Sequence, residues 1–264
     1  MEIRNKDIDN GQAFNWGKTS EDYAKYRDIY PAEFYQKLKE LSLGVSGQSA
    51  LDLGTGTGVI PRNMYRYGAK WIGADITENQ IAYARTLSEA AGMDIEYIVS
   101  AAEEVDFPDE SFDVITACQC FAYFDTAVLM PKVHRMLKAQ GHFAVLYMAW
   151  LPEESEIANM SEELVLKYNP SWTGAHMTRY SLDTPSWCGD LFEPANLLTF
   201  DLPVTFTRES WHGRIKACRG MGASSLEKDK IAAWEKEHVA YLQTVPETFR
   251  ILHYASVIDV RKKG

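Results

Sequence analysis

The chain has 264 residues, 46% of them apolar and 24% charged, enough to pack a core in one large domain or two small ones. A formal net charge of −10 and a pI near 5.1 argue against nucleic acid, which needs a basic face, and no stretch approaches the apolar length of a membrane span. The polar start Met1–Asp7 has no apolar signal core, and Cys118, Cys120, Cys188 and Cys218 contain no CxxC pair, so a cytoplasmic chain with reduced thiols is expected.

Residues 1–18 read as a loosely ordered polar arm. Thr19 and Asp22 have capping-box spacing and open a short helix that carries Tyr23, Tyr26, Arg27 and Tyr30. Pro31 starts a second helix through Leu41, with Phe34, Leu38 and Leu41 on one face. The apolar run Ala50, Leu51, Leu53 is a buried strand that breaks into Gly54, Gly56 and Gly58, and a helix follows from Val59 to Gly68. Lys70–Ile76 is the second strand, and Thr77 with Gln80 caps a helix to about Ala91. Ile95–Val99 is the third strand, and an acidic connection leads to the fourth, Phe112–Ala117. Asp125 caps a helix over Thr126–Leu137, Gly141 makes a turn, and His142–Met148 is the fifth strand. Five alternations of strand and helix imply a parallel sheet covered on both faces.

The rhythm then changes. A helix is expected over Glu154–Tyr168, then an aromatic, turn-rich stretch with Trp172, His176, Arg179 and Trp187. Leu198–Phe206 reads as a strand, Arg208–Arg219 and Leu226–Thr244 as helices, and Phe249–Val260 as a closing strand.

Three details narrow the ligand of the glycine turn. The spacing is Gly-x-Gly-x-Gly, not the Gly-x-Gly-x-x-Gly that cradles a pyrophosphate. Asp52 precedes it, placed to neutralise a ligand cation. Asp75 ends the second strand, about twenty residues on, where a carboxylate accepts from both hydroxyls of an unphosphorylated ribose. A cationic, phosphate-free adenosine ligand such as S-adenosylmethionine fits better than a nicotinamide dinucleotide.

Leu-Asp-Leu-Gly-Thr-Gly-Thr-Gly at 51–58 resembles motif I of the class I S-adenosylmethionine-dependent methyltransferases. Ala101-Ala102-Glu103 and Phe107–Asp113 resemble their later signatures, most of all in the small-molecule branch of menaquinone/ubiquinone-type and trans-aconitate methyltransferases. The resemblance covers about residues 48–148, is faint over the opening helices and stops before residues 150–245. It implies an α/β, Rossmann-like, doubly wound sheet of about seven strands, mostly parallel with the last strand antiparallel. A single domain is expected: N-terminal helices over the cofactor at 1–45, the cofactor-binding core at 46–149, cap and late elements at 150–245, and the closing strand at 246–264.

By the same resemblance the cofactor is S-adenosyl-L-methionine, with S-adenosyl-L-homocysteine as product. Asp52, Gly54, Thr55, Gly56 and Gly58 would line its methionine and ribose side. Asp75 would hold the ribose, Ile76, Ala102 and Glu103 the adenine, and Cys118 would line the methionine end. Gln80 joins this set, as do Tyr23 and Arg27, with Arg27 toward the cofactor carboxylate; a solvated surface helix is the competing reading of that pair. Two positions depart from the pattern. Ala101 stands where an Asp often binds the adenine amine, and Ala122-Tyr123 stands where relatives often carry His-Trp.

A sulfonium methyl leaves by in-line displacement, so the protein's main task is alignment, worth up to roughly 7–11 kcal/mol. Some acceptors also need a general base, which adds about 10²–10⁴-fold. Candidates for pocket chemistry are Tyr123, Tyr147, His176 and His212; plain packing competes for each. His134 and Trp211 read as structural. The expected function is methyl transfer to a small organic acceptor, by a monomer or homodimer with no nucleic-acid or membrane partner. Competing readings are a metalloid or thiol methyltransferase using Cys118 and Cys120, a non-catalytic S-adenosylmethionine-binding protein, and, remotely, a nicotinamide-dependent dehydrogenase.

Overall fold

The computed structural model describes residues 2–264. Seven strands form one sheet in the order β3-β2-β1-β4-β5-β7-β6. They are β1 (Ser49–Leu53), β2 (Lys70–Asp75), β3 (Glu96–Val99), β4 (Phe112–Cys118), β5 (Leu137–Trp150), β6 (Phe192–Thr207) and β7 (Thr248–Lys262). The pairs β1–β2, β1–β4, β2–β3 and β4–β5 are parallel. The last strand, β7, is antiparallel and lies between β5 and β6. The expectation of about seven strands with a reversed last one is borne out.

Parallel strands need crossovers, and the helices between them supply these. The helices are α1 (Ser20–Tyr26), α2 (Ala32–Glu40), α3 (Val59–Met64), α4 (Glu78–Ala90), α5 (Thr126–Met136), α6 (Glu156–Tyr168), α7 (Arg208–Lys216) and α8 (Lys228–Leu242). β1 and β4 are buried almost throughout, because a central parallel strand is covered on both faces. β6, at the sheet edge, buries only alternate residues over its second half (Leu202, Val204, Phe206) and tolerates Pro194 and Pro203.

Several sequence expectations shift. Thr19 and Thr77 make no side-chain caps. The Thr19 hydroxyl instead donates to the carbonyl of Trp16, and the amide of Thr77 is held by Asp75. Asp125 does cap α5, its carboxylate accepting from the amides of Ala127 and Val128. β5 begins at Leu137 rather than after a turn at Gly141. Leu137 pairs with Phe112, and the register slips before Val114 meets His142, so the polar residues between them form an irregularity within the strand. β6 and β7 are also longer than expected, extending to Phe192 and Lys262.

The chain divides into two compact units, each built from separate segments. One comprises Ala32–Met148, Ser181–Phe200 and Ala255–Gly264, and the other Met1–Pro31, Ala149–Tyr180 and Asp201–Tyr254. The first has a core of Leu51, Leu53, Ile115, Leu129, Val133, Phe143 and Phe192, among others. In the second, Trp211 and Trp234 are fully buried. Its α7 is fixed by a capping box in which Thr207 and Ser210 exchange side-chain and backbone hydrogen bonds.

Candidate functional site

The turn after β1 is built from three left-handed residues, Gly54, Gly56 and Gly58, with φ of 64°, 57° and 75°. A side chain would be strained at each. Two of them are also closed off by neighbours. A Cβ on Gly54 would lie 2.6 Å from Cys120 Sγ, and one on Gly58 would lie 2.3 Å from Tyr97 Oη. The chain therefore passes close under β3 and the end of β4 before Gly58 turns it into α3. Cys120 adds a hydrogen bond, its Sγ donating to the carbonyl of Leu53 at 3.1 Å.

Asp75 braces the loop from the tip of β2. Its Oδ2 accepts from the Gly56 amide at 2.9 Å, and its Oδ1 accepts from the Thr77 amide at 2.8 Å. Each oxygen keeps a second lone pair, the acceptor capacity that a ribose diol requires. Burial pushes this carboxyl up despite the two amides that favour its charged form.

Asp52 is 1% exposed within β1. Thr116 on β4 donates to its Oδ1 at 2.6 Å. Burial pushes the carboxyl up to about 7, and the nearby Asp75 adds to the shift. A buried acid held at the edge of ionisation suits a cationic ligand, because an ammonium or sulfonium nearby would complete its ionisation. The Oε1 of Gln80, at the start of α4, is buried with no hydrogen-bond partner. The residues present thus fit a cationic adenosine ligand: left-handed glycines, a ribose-type acceptor and a buried acid.

Ile76 is half-buried beside Asp75, and Thr55 is buried in the turn. Ala102 is buried, and Glu103 accepts from the Asp125 amide at 2.7 Å, tying the short turn at Ala102–Glu104 to the start of α5. Cys118 is half-buried at the end of β4. Tyr123, in a short turn after β4, and Tyr147, on β5, are half-buried and belong to this same unit.

The other candidates lie in the second unit. His176 is exposed and sits at φ 60°, its amide donating to the fully buried Glu162 at 2.7 Å. The ring of His212 stacks on Trp234 and its Nδ1 lies 2.9 Å from Nδ1 of His238. Burial holds both imidazoles below the usual histidine range, His238 down to about 3. Tyr23 and Arg27 lie together at the end of α1, the guanidinium 4.7 Å from the ring centroid.

Sequence reasoning missed Thr116 and Tyr97, and it named Cys120 only as half of a thiol pair with Cys118, not as a partner of the turn. Each acts on the turn from a different strand or loop, and no local pattern around 49–58 reveals these contacts. None of the four cysteines is in a disulfide, and no cluster of three metal-ligating side chains occurs among the described residues. Burial holds the Cys120 thiol well above its usual range.

Comparison with known proteins agrees with this geometry. A family profile described as "Methyltransferase domain" matches residues 51–145. A ubiquinone biosynthesis O-methyltransferase of Dinoroseobacter shibae is 30% identical over 171 residues, 64% of this chain and 67% of that protein. Its counterpart in Bradyrhizobium diazoefficiens is 28% identical over 166 residues, 60% of this chain and 65% of that protein. In each case the chain spans about two thirds of the relative's length. Among solved structures, the YcgJ protein from Bacillus subtilis superposes with a TM-score of 0.55 at 22% identity, covering 88% of this chain and 99% of that one. A Bacillus halodurans protein assigned to the methyltransferases gives a TM-score of 0.56 at 20% identity, covering 87% of this chain and 99% of that one. These two likenesses bear on the fold. The chain belongs to the class I S-adenosylmethionine-dependent methyltransferases, in their quinone-type branch.

Proposed function

We propose that the protein transfers a methyl group from S-adenosylmethionine to a small organic acceptor. The observation that carries this reading is the buried acid Asp52 beneath a turn of three left-handed glycines, braced by Asp75. A dinucleotide site has no use for a buried carboxyl under its phosphates, whereas a cationic sulfonium ligand does. The cofactor, when bound, supplies a methyl group already activated on a positive sulfur.

The chain's own residues have positioning to do. Asp75 holds the ribose hydroxyls, and Ile76, Ala102 and Glu103 border the adenine. Gly54, Thr55, Gly56 and Gly58 offer backbone to the ligand, with Gln80 and Cys118 beside it. Asp52 balances the cofactor's charge. Transfer in a single in-line displacement requires no side chain to carry the methyl group, so alignment and exclusion of water dominate. Tyr123 and Tyr147 are the candidates for orienting or deprotonating the acceptor from within the same unit. His212 is engaged with His238 and Trp234, which favours a packing role for it. His176 stays a candidate on its exposure alone. Tyr23 and Arg27 are assigned to the cofactor by resemblance only.

The ubiquinone-type relatives carry an O-methyltransferase name, which suggests an oxygen acceptor here too. A thiol or metalloid acceptor bound through Cys118 and Cys120 is disfavoured, because Cys120 is spent on the Leu53 carbonyl and its thiolate is suppressed. The test is a methyl-acceptor screen read by mass spectrometry on the purified chain. Formation of S-adenosylhomocysteine together with an acceptor heavier by one methylene unit supports the reading. Tight cofactor binding with no turnover against any acceptor class would favour a non-catalytic binding protein.

A further inference from the structure

Three helices of the second unit meet at a chain of buried hydrogen bonds that no step of the proposed methyl transfer uses. Ser161 of α6, Trp211 of α7 and His238 of α8 are all fully buried. The Ser161 hydroxyl donates to the carbonyl of Ile157 at 2.8 Å. That bond spends its one proton, so Oγ can only accept from its other two neighbours. These are the Trp211 indole N–H and His238 Nε2, each at 2.9 Å. His238 therefore carries its proton on Nε2, and in the neutral ring its Nδ1 is a bare acceptor. The nitrogen facing it, Nδ1 of His212 at 2.9 Å, must be the donor. Neutral His212 is in turn bare at Nε2, which lies 3.9 Å from Glu235 Oε1.

This order decides where protons can enter. A first proton at His212 Nε2 leaves every bond of the chain in place and gains the Glu235 carboxylate as a neighbour. A second has only Nδ1 of His238 left to take, and there it sets two N–H groups against each other. The rings must then part, and Trp234, which backs both of them at 5.2 Å and 4.9 Å, loses its packing. The charged groups that act on His212 are Glu235 of α8, Lys216 of α7 and Asp22 of α1, while α6 contributes the Ser161 hydroxyl through His238. Glu235 also holds Lys216 at 2.7 Å, so its pull on an imidazolium is shared. Burial outweighs these charges and holds both rings below the ordinary histidine range, so both are neutral at pH 7.5 and the chain is intact.

We propose that His212 and His238 form an acid-opened latch between α7 and α8, anchored on α6 through Ser161, that tolerates one proton and opens on the second. The two rings titrate as a pair, because the proton each can take depends on the one the other holds. The latch is defined by its own hydrogen bonds and rests on no reading of the reaction, so a failed acceptor screen leaves it standing.

The experiment reads which ring nitrogen carries hydrogen, by long-range proton–nitrogen NMR on the whole chain with isotope-labelled histidines. At pH 7.5 the expected spectrum has His238 protonated at Nε2 and His212 at Nδ1. S161A removes the acceptor that sets this order, and both tautomers should invert. On acidification the first proton should arrive on His212 with the amide-exchange protection of α7 and α8 unchanged. Arrival of the second, on His238, should lower that protection roughly ten-fold or more while β1 and β4 keep theirs. Four results overturn the proposal and leave the pair as packing: the opposite tautomers in wild type, tautomers unmoved by S161A, both rings protonated with α7 and α8 still protected, or protection lost from β1 and β4 at the same step. Should S161A fail to fold, the wild-type spectra decide alone, since tautomers and order of titration are read there without any substitution.

Discussion

At the scale of single residues, Asp52 sets the behaviour of the glycine turn. Without a ligand its carboxyl ionises near pH 7, far above the exposed value, because burial penalises the charge. A cationic ligand beside it favours the ionised form, so binding below pH 7 must release a proton. The Kd for S-adenosylhomocysteine is therefore expected to fall about ten-fold per pH unit from pH 5 to 7 and then level off. Titration calorimetry across that range checks it, and D52N should flatten the profile. The sign for stability is opposite. The folded carboxyl titrates above the unfolded one, so its contribution is present at low pH and is lost as pH rises through 7. Gly58 gives a second prediction. G58A adds a Cβ at φ 75° against the Tyr97 hydroxyl and should cost about 2–4 kcal/mol in urea unfolding.

The elements explain what was legible in the sequence. Glycines spaced two apart, an acid before them and an acid at the next strand end are all local, so the turn after β1 and the tip of β2 could be read directly. Asp125 was legible for the same reason, since a cap acts within three residues, and D125A should lose about 1 kcal/mol of stability. What was not legible depends on distant partners. The early start of β5 comes from pairing with β4, not from its own turn residues. The last strands are also tied together by polar contacts that no periodicity reveals. Asp259 on β7 is fully buried, with His142 of β5 on one oxygen at 2.7 Å and Asn196 of β6 on the other at 2.7 Å. Removing the imidazole leaves the buried Asp259 side chain short of a hydrogen-bond partner, so H142A should cost about 1–3 kcal/mol by chemical denaturation.

For the whole molecule, two buried histidines set the acid limit. Burial pushes both His238 and His253 down to about 3, so they stay neutral while the unfolded chain takes up protons below its ordinary value of about 6.5. The contribution of these two histidines is thus full above pH 6.5 and falls as the pH drops toward 3, by up to about 1.4 kcal/mol per pH unit for each. Urea unfolding at pH 7.5 and pH 5 measures the slope, and H238N should lessen it by about half. No helix among the described residues is long and apolar enough to cross a membrane. The central claim concerns the ligand that the glycine turn receives. Its most direct test is calorimetric titration of the purified chain with S-adenosylhomocysteine at pH 8. One saturable site that is lost in G58A and weakened at least ten-fold in D75A is the predicted result. Absence of binding, or affinity unchanged by both substitutions, would contradict the account.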